Sequence, residues 1–241
     1  DMKEVGSMAR AMTWKCALAE LPFGGAKAGI IANSKGISTG TKKDLVEAFA
    51  KALKIICPEL YVAAPDMYMG EQEMAWFAEA NGNLRSCTGK PEDMGGLPHE
   101  LGGTGFGVFH ATCVAAERIG LNLSEATFAV EGFGNVGKPV AKYLSQAGAK
   151  FVAVSDSQGT IYQREGLSYE KLMEIKDRTG SVINYGREGG GEVCDKRSCD
   201  RILDVEADIL IPAARPDLIG YADVERLHFK LIVEGSNIPM S

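Results

Sequence analysis

Apolar residues along the first eighty positions recur in two registers. Val5, Met8, Met12 and Cys16 fall near a 3.6-residue period, which predicts a helix over 3–19. Pro22 and Gly24-Gly25 break it, and the apolar run Ala28–Ala32 predicts a buried strand. Thr41 with Asp44 has the spacing of a cap ahead of Leu45, Phe49 and Leu53, which recur at i, i+4 and i+8, and Pro58 ends that helix. Leu60–Ala64 predicts a short strand stopped by Pro65-Asp66. Gly70-Glu71 then opens a helix through Ala80, with Asn81-Gly82 as its C-terminal cap. Helix alternating with strand is the pattern of an α/β layer.

The second half changes register. A Gly- and Pro-rich loop runs from Leu84 to Gly103, and Phe106–Ile119 predicts an apolar helix that connects two domains. From Ala126 a βαβ series begins: strand Phe128–Glu131, helix Asn135–Ala147, strand Phe151–Ser155, helix Leu167–Arg178, and later strands Asp208–Ile211 and Leu231–Glu234. Residues 180–200 are polar and Gly-rich and predict a surface loop. The expected fold is α/β in two domains. An α/β substrate or catalytic domain spans 1–105, a connecting helix 106–121, and a Rossmann-like dinucleotide-binding domain 122–241. The sequence opens at Asp1 and stops shortly after Pro239 without a closing helix, so each domain is expected to be a piece of a longer one.

Composition narrows the classes. Of 241 residues 45% are hydrophobic and 24% charged, enough for an ordinary core. Lys plus Arg number 26 against 32 Asp plus Glu, a net charge of −6, so charge gives no support for a nucleic-acid or anionic-membrane partner. The longest apolar runs, such as Ala111–Ala116, are too short to cross a bilayer, and no signal or transit segment opens the sequence; a cytoplasmic protein is expected. Six scattered cysteines form no disulfide framework, and Cys194 and Cys199 read as two reduced thiols in a loop. His99, His110 and His228 lack metal-ligand spacing, and no metal is expected.

One Gly-rich turn carries chemistry. Gly132-Phe133-Gly134-Asn135-Val136-Gly137 is G-x-G-x-x-G; it follows a predicted strand, opens a helix, and precedes a strand ending in Ser155-Asp156. Gly132 permits the tight turn, Gly134 lets a pyrophosphate approach the backbone, and Gly137 lets helix and strand pack closely. The helix N-terminus then offers N–H groups and a positive dipole to the phosphates. Asp156, 19 residues after Gly137, has the place of a ribose-hydroxyl acceptor and favours NAD, whereas Ser157 beside it suits a 2′-phosphate; NAD or NADP is the expected cofactor.

A second segment, Leu21-Pro22-Phe23-Gly24-Gly25-Ala26-Lys27, sets a lysine between glycines and an apolar run. An ammonium there is costly unless it finds a partner, and a lysine so placed can activate water or hold a carbonyl. Lys15 lies upstream on the predicted helix, and Asp66 follows a predicted strand at the end where α/β ligands bind. Two lysines and an aspartate around glycine-lined turns suit a dianionic or amino-acid substrate. By spacing alone, snorkelling lysines and a helix-capping aspartate remain the alternative.

With these elements the chain resembles the glutamate dehydrogenase family, which includes leucine, phenylalanine and valine dehydrogenases. The resemblance rests on Met12-Thr-Trp-Lys15, Pro22-Phe-Gly-Gly-Ala-Lys27, Ala64-Pro-Asp66, Thr88-Gly-Lys-Pro91, Thr104-Gly-Phe-Gly107, Gly132–Gly137 and Glu234-Gly-Ser-Asn237, in that order. It implies that Lys15 binds the substrate α-carboxylate in the Gly24-Gly25 turn, that Lys27 activates water and stabilises a carbinolamine, and that Asp66 relays protons to and from the amine. It implies further that Thr104 and Asn237 hold the nicotinamide carboxamide and that Pro212-Ala213-Ala214 lines the cofactor. The implied reaction is reversible oxidative deamination of L-glutamate to 2-oxoglutarate and ammonium by hydride transfer to NAD(P), in a homohexamer.

The sequence also departs from the family pattern. Glu100 stands where the family has an arginine after Gly95-Gly96, a charge reversal with His99 beside it; Ala28 replaces a glycine and Ser236 an alanine. By resemblance, the lysine and serine that read the substrate side chain lie upstream of residue 1 and beyond residue 241. Two other readings follow: a branched-chain or aromatic amino-acid dehydrogenase, and a non-catalytic dinucleotide-binding subunit.

Overall fold

A computed structural model of the protein describes residues 2–33, 36–97, 102–189, 192–195 and 199–241. The chain divides into two compact units, Asp1–Leu101 and Gly102–Ser241.

The first unit is helical. Helix α1 (Met2–Leu18) buries none of its residues and carries Lys15 in its last turn, where a cation complements the helix dipole. Helix α2 (Thr39–Ala52) starts one turn before the predicted cap: Ser38, not Thr41, is the N-cap, and its hydroxyl accepts the Thr41 amide at 3.1 Å. Helix α3 (Glu71–Asn81) begins and ends where predicted. Glu73 reaches back to the Gly70 amide at 2.8 Å, and Gly82 closes the helix at φ +81°. Val46 and Ala50 of α2 and Met74, Phe77 and Ala78 of α3 form the small core, with Phe49 edge-on to Phe77 at 6.1 Å. Asn81 ties the pair by donating to the Ala50 carbonyl at 3.0 Å.

Neither predicted strand of this unit forms. Ala28–Ala32 is an extended loop with Ile31 fully exposed, and of Leu60–Ala64 only Ala63 pairs, in a single parallel bridge to Cys87. An apolar run becomes a strand only where a neighbour accepts its ladder. Among the described residues none lies beside 28–32.

The second unit opens with α4 (Gly103–Arg118), which starts three residues before the predicted helix. A six-stranded sheet follows, in the spatial order β4 (Glu192–Asp195), β3 (Gly159–Tyr162), β2 (Lys150–Asp156), β1 (Thr127–Glu131), β5 (Ile209–Pro212) and β6 (Leu231–Ile232). Strands β1 (Thr127–Glu131), β2 (Lys150–Asp156), β5 (Ile209–Pro212) and β6 (Leu231–Ile232) run parallel and match predicted strands. Helix α5 (Gly137–Gln146) crosses from β1 to β2, and α6 (Tyr169–Thr179), capped by Ser168, also lies where predicted. Strand β3 (Gly159–Tyr162) returns antiparallel to β2 in a hairpin that the sequence did not signal. Within the predicted loop 180–200 the chain forms α7 (Ile183–Gly189) and an edge strand, β4 (Glu192–Asp195), antiparallel to β3. Buried Val182, Ile183 and Tyr185 anchor that stretch to the core, so three apolar residues outweigh its polar, Gly-rich composition.

Phe128 stacks on Phe151 at 4.7 Å between β1 and β2, and Val140, Ala141 and Leu144 of α5 cover them. Side chains as fully buried as Phe128 and Leu144 each contribute about 1.5–3 kcal/mol. No helix among the described residues is long and apolar enough to cross a membrane.

Candidate active site and dinucleotide crevice

In the first unit the segment after α1 folds back onto the helix. The Gly25 amide donates to the Thr13 hydroxyl at 3.0 Å, and that hydroxyl in turn donates to the Ala9 carbonyl at 3.3 Å. A β-carbon on Gly25 would collide with the Ala9 carbonyl and the Thr13 amide, so only glycine permits this approach. The contact fixes the loop to α1 two residues before Lys15, which is exposed. Gly24, by contrast, faces open space.

Two residues beyond Gly25, the Lys27 ammonium lies 2.5 Å from Asp66 Oδ2, with side chains 22% and 50% exposed. The partner that a lysine in this setting requires is therefore the aspartate singled out by sequence, 39 positions away. Pairs this exposed add little stability. The other Asp66 oxygen accepts the Met67 amide at 2.8 Å, which fixes the carboxylate plane.

The Thr88–Pro91 motif buttresses Asp66 from behind. The Ala63 amide donates to the Ser86 carbonyl at 2.9 Å and the Thr88 amide to the Ala63 carbonyl at 2.8 Å. Gly89, at φ +70°, accepts Pro65 so closely that a β-carbon would sit 2.5 Å from its ring. Lys90 is buried and donates to the Cys87 carbonyl, closing the loop on itself. Burial pushes the Cys87 thiol above its ordinary pKa, so it is an unreactive core group.

In the second unit the three fingerprint glycines have distinct surroundings. Gly132 adopts φ +87°, and a β-carbon there would strike Ala214. A β-carbon on Gly137 would strike the Gly132 carbonyl and lie 3.1 Å from Val130. Gly134 has nothing within 4 Å, leaving backbone open at the N-terminus of α5, where no side chain caps the first turn. That combination fits a pyrophosphate held by backbone N–H groups. Phe133 is buried in the core and Asn135 exposed, while Val136 packs against Gly235.

Three further segments converge on this turn. Gly105 of α4 sits on Val136 and Pro139, where a β-carbon would lie 2.6 Å from the Val136 carbonyl; that packing seats exposed Thr104 beside the start of α5. The Gly235 and Ser236 amides donate to the Pro212 carbonyl at 2.8 and 2.9 Å, bringing the turn before Asn237 against Pro212-Ala213. Strand order reverses between β1 and β5, and at their carboxyl ends Gly132, Ala213-Ala214 and Gly235 line one crevice, the position where open α/β sheets bind ligands.

Asp156 lies at the end of β2 as its spacing predicts, but its carboxylate is enclosed by the chain's own donors. Oδ2 accepts from Lys176 Nζ at 2.6 Å and the Val182 amide at 2.8 Å; Oδ1 accepts from the Gln158 amide at 2.9 Å and the Ser181 hydroxyl at 3.1 Å. Burial alone would raise its pKa; the Lys176 hydrogen bond and the two amides overcome that and hold it below the usual carboxylate value. Ser157 beside it is exposed. Sequence reasoning missed Glu131, a buried carboxylate directly before Gly132; its signal was a charged residue closing an otherwise apolar strand.

His99 and Glu100, with the charge reversal read there, lie outside the described residues, as do the side chains of Cys194 and Cys199. No group of His, Cys, Asp and Glu among the described residues is arranged to hold a metal. Two surface depressions of about 310 and 330 Å³ share Tyr162, Arg164 and Glu206 and include none of the residues above.

The second unit has a Rossmann-like, doubly wound α/β fold, extended at one edge by the antiparallel strands β3 and β4. A family model for Glutamate/Leucine/Phenylalanine/Valine dehydrogenase matches residues 95–241, and one for the Glu/Leu/Phe/Val dehydrogenase dimerisation domain matches residues 1–82. The chain belongs to the Glutamate/Leucine/Phenylalanine/Valine dehydrogenase family. It is 39% identical over 99% of its length to a glutamate dehydrogenase of Aeropyrum pernix, and 34% identical over the same share to an NADP-specific glutamate dehydrogenase of Saccharolobus shibatae. It spans 57% and 56% of those relatives' lengths. A hetero-hexameric glutamate dehydrogenase from Thermus thermophilus, solved with Leu bound, superposes with a TM-score of 0.88 at 29% identity, over 99% of this chain and 56% of that one.

Proposed function

We propose that the chain supports reversible NAD(P)-dependent oxidative deamination of L-glutamate to 2-oxoglutarate and ammonium. The observation that carries this reading is the Lys27–Asp66 pair at 2.5 Å, half open to a ligand. A cation and a carboxylate in contact hold the two functions the reaction needs. Lys27 stabilises negative charge on the substrate oxygen and orients the attacking water, and Asp66 takes and returns the proton of the amine. Lys15 on α1 supplies a cation for the α-carboxylate, and the Gly25–Thr13 docking ties its helix to the Lys27 loop.

Gly132–Gly137, Ala213-Ala214, Thr104 and Asn237 are the residues proposed to hold the dinucleotide. When bound there, the dinucleotide would supply the acceptor for the hydride that leaves the substrate Cα. The Asp156–Lys176 pair bears on the choice of coenzyme. A free carboxylate at the end of β2 would repel a 2′-phosphate, but this one is neutralised by Lys176, so NADP enters the proposal beside NAD, which the sequence favours. The substrate assignment rests on relatives named glutamate dehydrogenase.

A homo-oligomer, and by family a homohexamer, is proposed for the assembly. An α1 without a buried residue, with Trp14, Leu18 and Phe23 exposed around it, supports a covered surface. A cytoplasmic location, with small-molecule substrates and neither nucleic acid nor membrane as partner, completes the proposal.

The test follows oxidation of NADH and NADPH with ammonium and a panel of 2-oxo acids, in the wild type and in Lys27→Met. Preferred turnover of 2-oxoglutarate, abolished by Lys27→Met while dinucleotide binding survives, is the expected result. Turnover retained in that variant removes Lys27 from its role, and preference for an apolar oxo acid replaces glutamate as substrate.

A further inference from the structure

Glu131 closes β1 immediately before the first fingerprint glycine, and its side chain is 7% exposed. Its backbone carbonyl accepts the Ala213 amide at 2.7 Å. Its carboxylate Oε2 accepts the same amide at 3.2 Å and the Ala214 amide at 3.0 Å. The guanidinium of Arg215 stands 3.9 Å from the other oxygen. Three consecutive residues after β5 thus converge on one residue of β1. On the far side of the same segment, Ala214 limits Gly132.

We infer that Glu131 is a positioning residue that fixes the Ala213-Ala214 wall of the crevice and thereby sets affinity for the nicotinamide ring on the β5 side. The argument rests on the dinucleotide reading above. In a doubly wound sheet the two mononucleotides lie on opposite sides of the strand reversal. The fingerprint turn and the end of β2 serve the adenosine side, and the segment after β5 serves the nicotinamide side. The Ala214 amide has no neighbouring strand to pair with at this depth, and the buried carboxylate meets its need for an acceptor. A buried charge is an expensive way to bind two amides unless their position matters. Aliphatic substitution at this site leaves the Ala214 donor seeking water in the crevice, and the wall follows it.

The experiment measures dissociation constants of NAD and of ADP-ribose, which lacks the nicotinamide, for the wild type, Glu131→Met and Glu131→Gln. Methionine keeps the volume and removes the acceptor; glutamine keeps both and removes the charge. The inference expects Glu131→Met to weaken NAD by about tenfold, the worth of one lost hydrogen bond to a charged acceptor, with ADP-ribose unchanged. It expects Glu131→Gln to recover most of the loss. Equal weakening of both ligands marks a general structural role and overturns the inference, as does unchanged NAD affinity in Glu131→Met, or a glutamine variant as weak as the methionine one. A wild type that binds neither ligand overturns instead the reading of the crevice as a dinucleotide site. Should Glu131→Met not fold, hydrogen exchange in the wild type decides. NAD but not ADP-ribose is expected to slow exchange at Ala213–Arg215, and equal or absent slowing refutes the assignment.

Discussion

Asp156 offers the sharpest separation between a residue that binds a ligand and one that holds the fold. Its carboxylate joins the end of β2 to α6 and to the start of α7 through Lys176, Ser181 and Val182, and closes the β2–β3 turn through Gln158. Replacement by alanine strands two amides and a hydroxyl, each worth about 1 kcal/mol net. It also leaves the Lys176 ammonium, 19% exposed, without its counter-ion. Partial access to water limits that last cost, and the total comes to about 3 kcal/mol, near the lower end for breaking a buried pair. Lys176→Met removes only the ion pair and leaves the carboxylate with its three neutral donors, so about 1 kcal/mol is expected there. Urea unfolding followed by far-ultraviolet circular dichroism measures both. Hydrogen exchange at the β1 and β2 amides localises the loss to the second unit. A loss below about 1 kcal/mol in Asp156→Ala, accompanied by a large drop in NAD affinity, would refute the clamp and return the residue to a purely ribose-binding role.

Gly25→Ala is expected to lower kcat/KM by about a hundredfold, because displacing the Lys27 loop from α1 by about 1 Å spoils the reacting geometry; Gly29→Ala, where an added β-carbon meets nothing within 4 Å, is the control. Gly137→Ala is expected to abolish dinucleotide binding and to cost about 1–3 kcal/mol of stability, since its β-carbon would run into the Gly132 backbone, which no side-chain rotation can move aside. Acid titration of stability has a worked sign. Asp156 and Asp208 are held below the ordinary carboxylate value, against burial, by Lys176 and Lys230 together with backbone amides. Their stabilisation is complete above about pH 4 and is lost as pH falls through the lower folded values. Glu131 is raised by burial, with its amide bonds and Arg215 offsetting only part, so its cost is present at neutral pH and is relieved on acidification toward about 4.3. Urea midpoints of the second unit are therefore expected to hold or rise slightly from pH 7 to about 5 and to fall below about 4; a steady decline from pH 7 contradicts the assignment.

Signals legible in the sequence were those that act within a few residues. The turn at Gly82, the φ of Gly132 and the close packing of Gly137 follow from what a β-carbon would forbid, and that constraint is local. Strands β1, β2 and β5 were legible because their burial on both faces leaves unbroken apolar runs. Strands β3 and β4 were not, because an edge strand such as Glu192–Asp195 has mixed composition and is made by its partner's ladder. The converse error at Ala28–Ala32 has the same cause: apolar composition without a neighbour gives an extended loop. Ser38 was overlooked as a cap because Thr41-x-x-Asp44 supplied a competing signal three residues later. Three of the four donors that enclose Asp156 come from positions 176–182, and no spacing rule connects a fingerprint aspartate to them. The spacing located Asp156, therefore, but not its partners.

The Lys27–Asp66 pair is assembled by backbone approach more than by side-chain packing, and this bears on how precisely it is held. Lys27 sits two residues from a glycine pressed against α1, and Asp66 follows a proline pressed against Gly89. In both arms the closest contact is one that any β-carbon would prevent. A loop tethered through a side chain keeps rotamer freedom, whereas backbone seated on backbone or on a proline ring keeps little. Lys90 and the Ala63–Cys87 bridge close the second arm, and the Thr13 hydroxyl closes the first. Both arms belong to the first unit, so the geometry of the pair does not depend on the dinucleotide crevice. Substitutions that disturb the crevice, such as Gly137→Ala, are accordingly expected to leave the Lys27–Asp66 arms in register, and substitutions in the arms are expected to leave dinucleotide affinity intact. Loss of dinucleotide binding in Gly25→Ala would show that the two sites are coupled and that this division of labour is wrong.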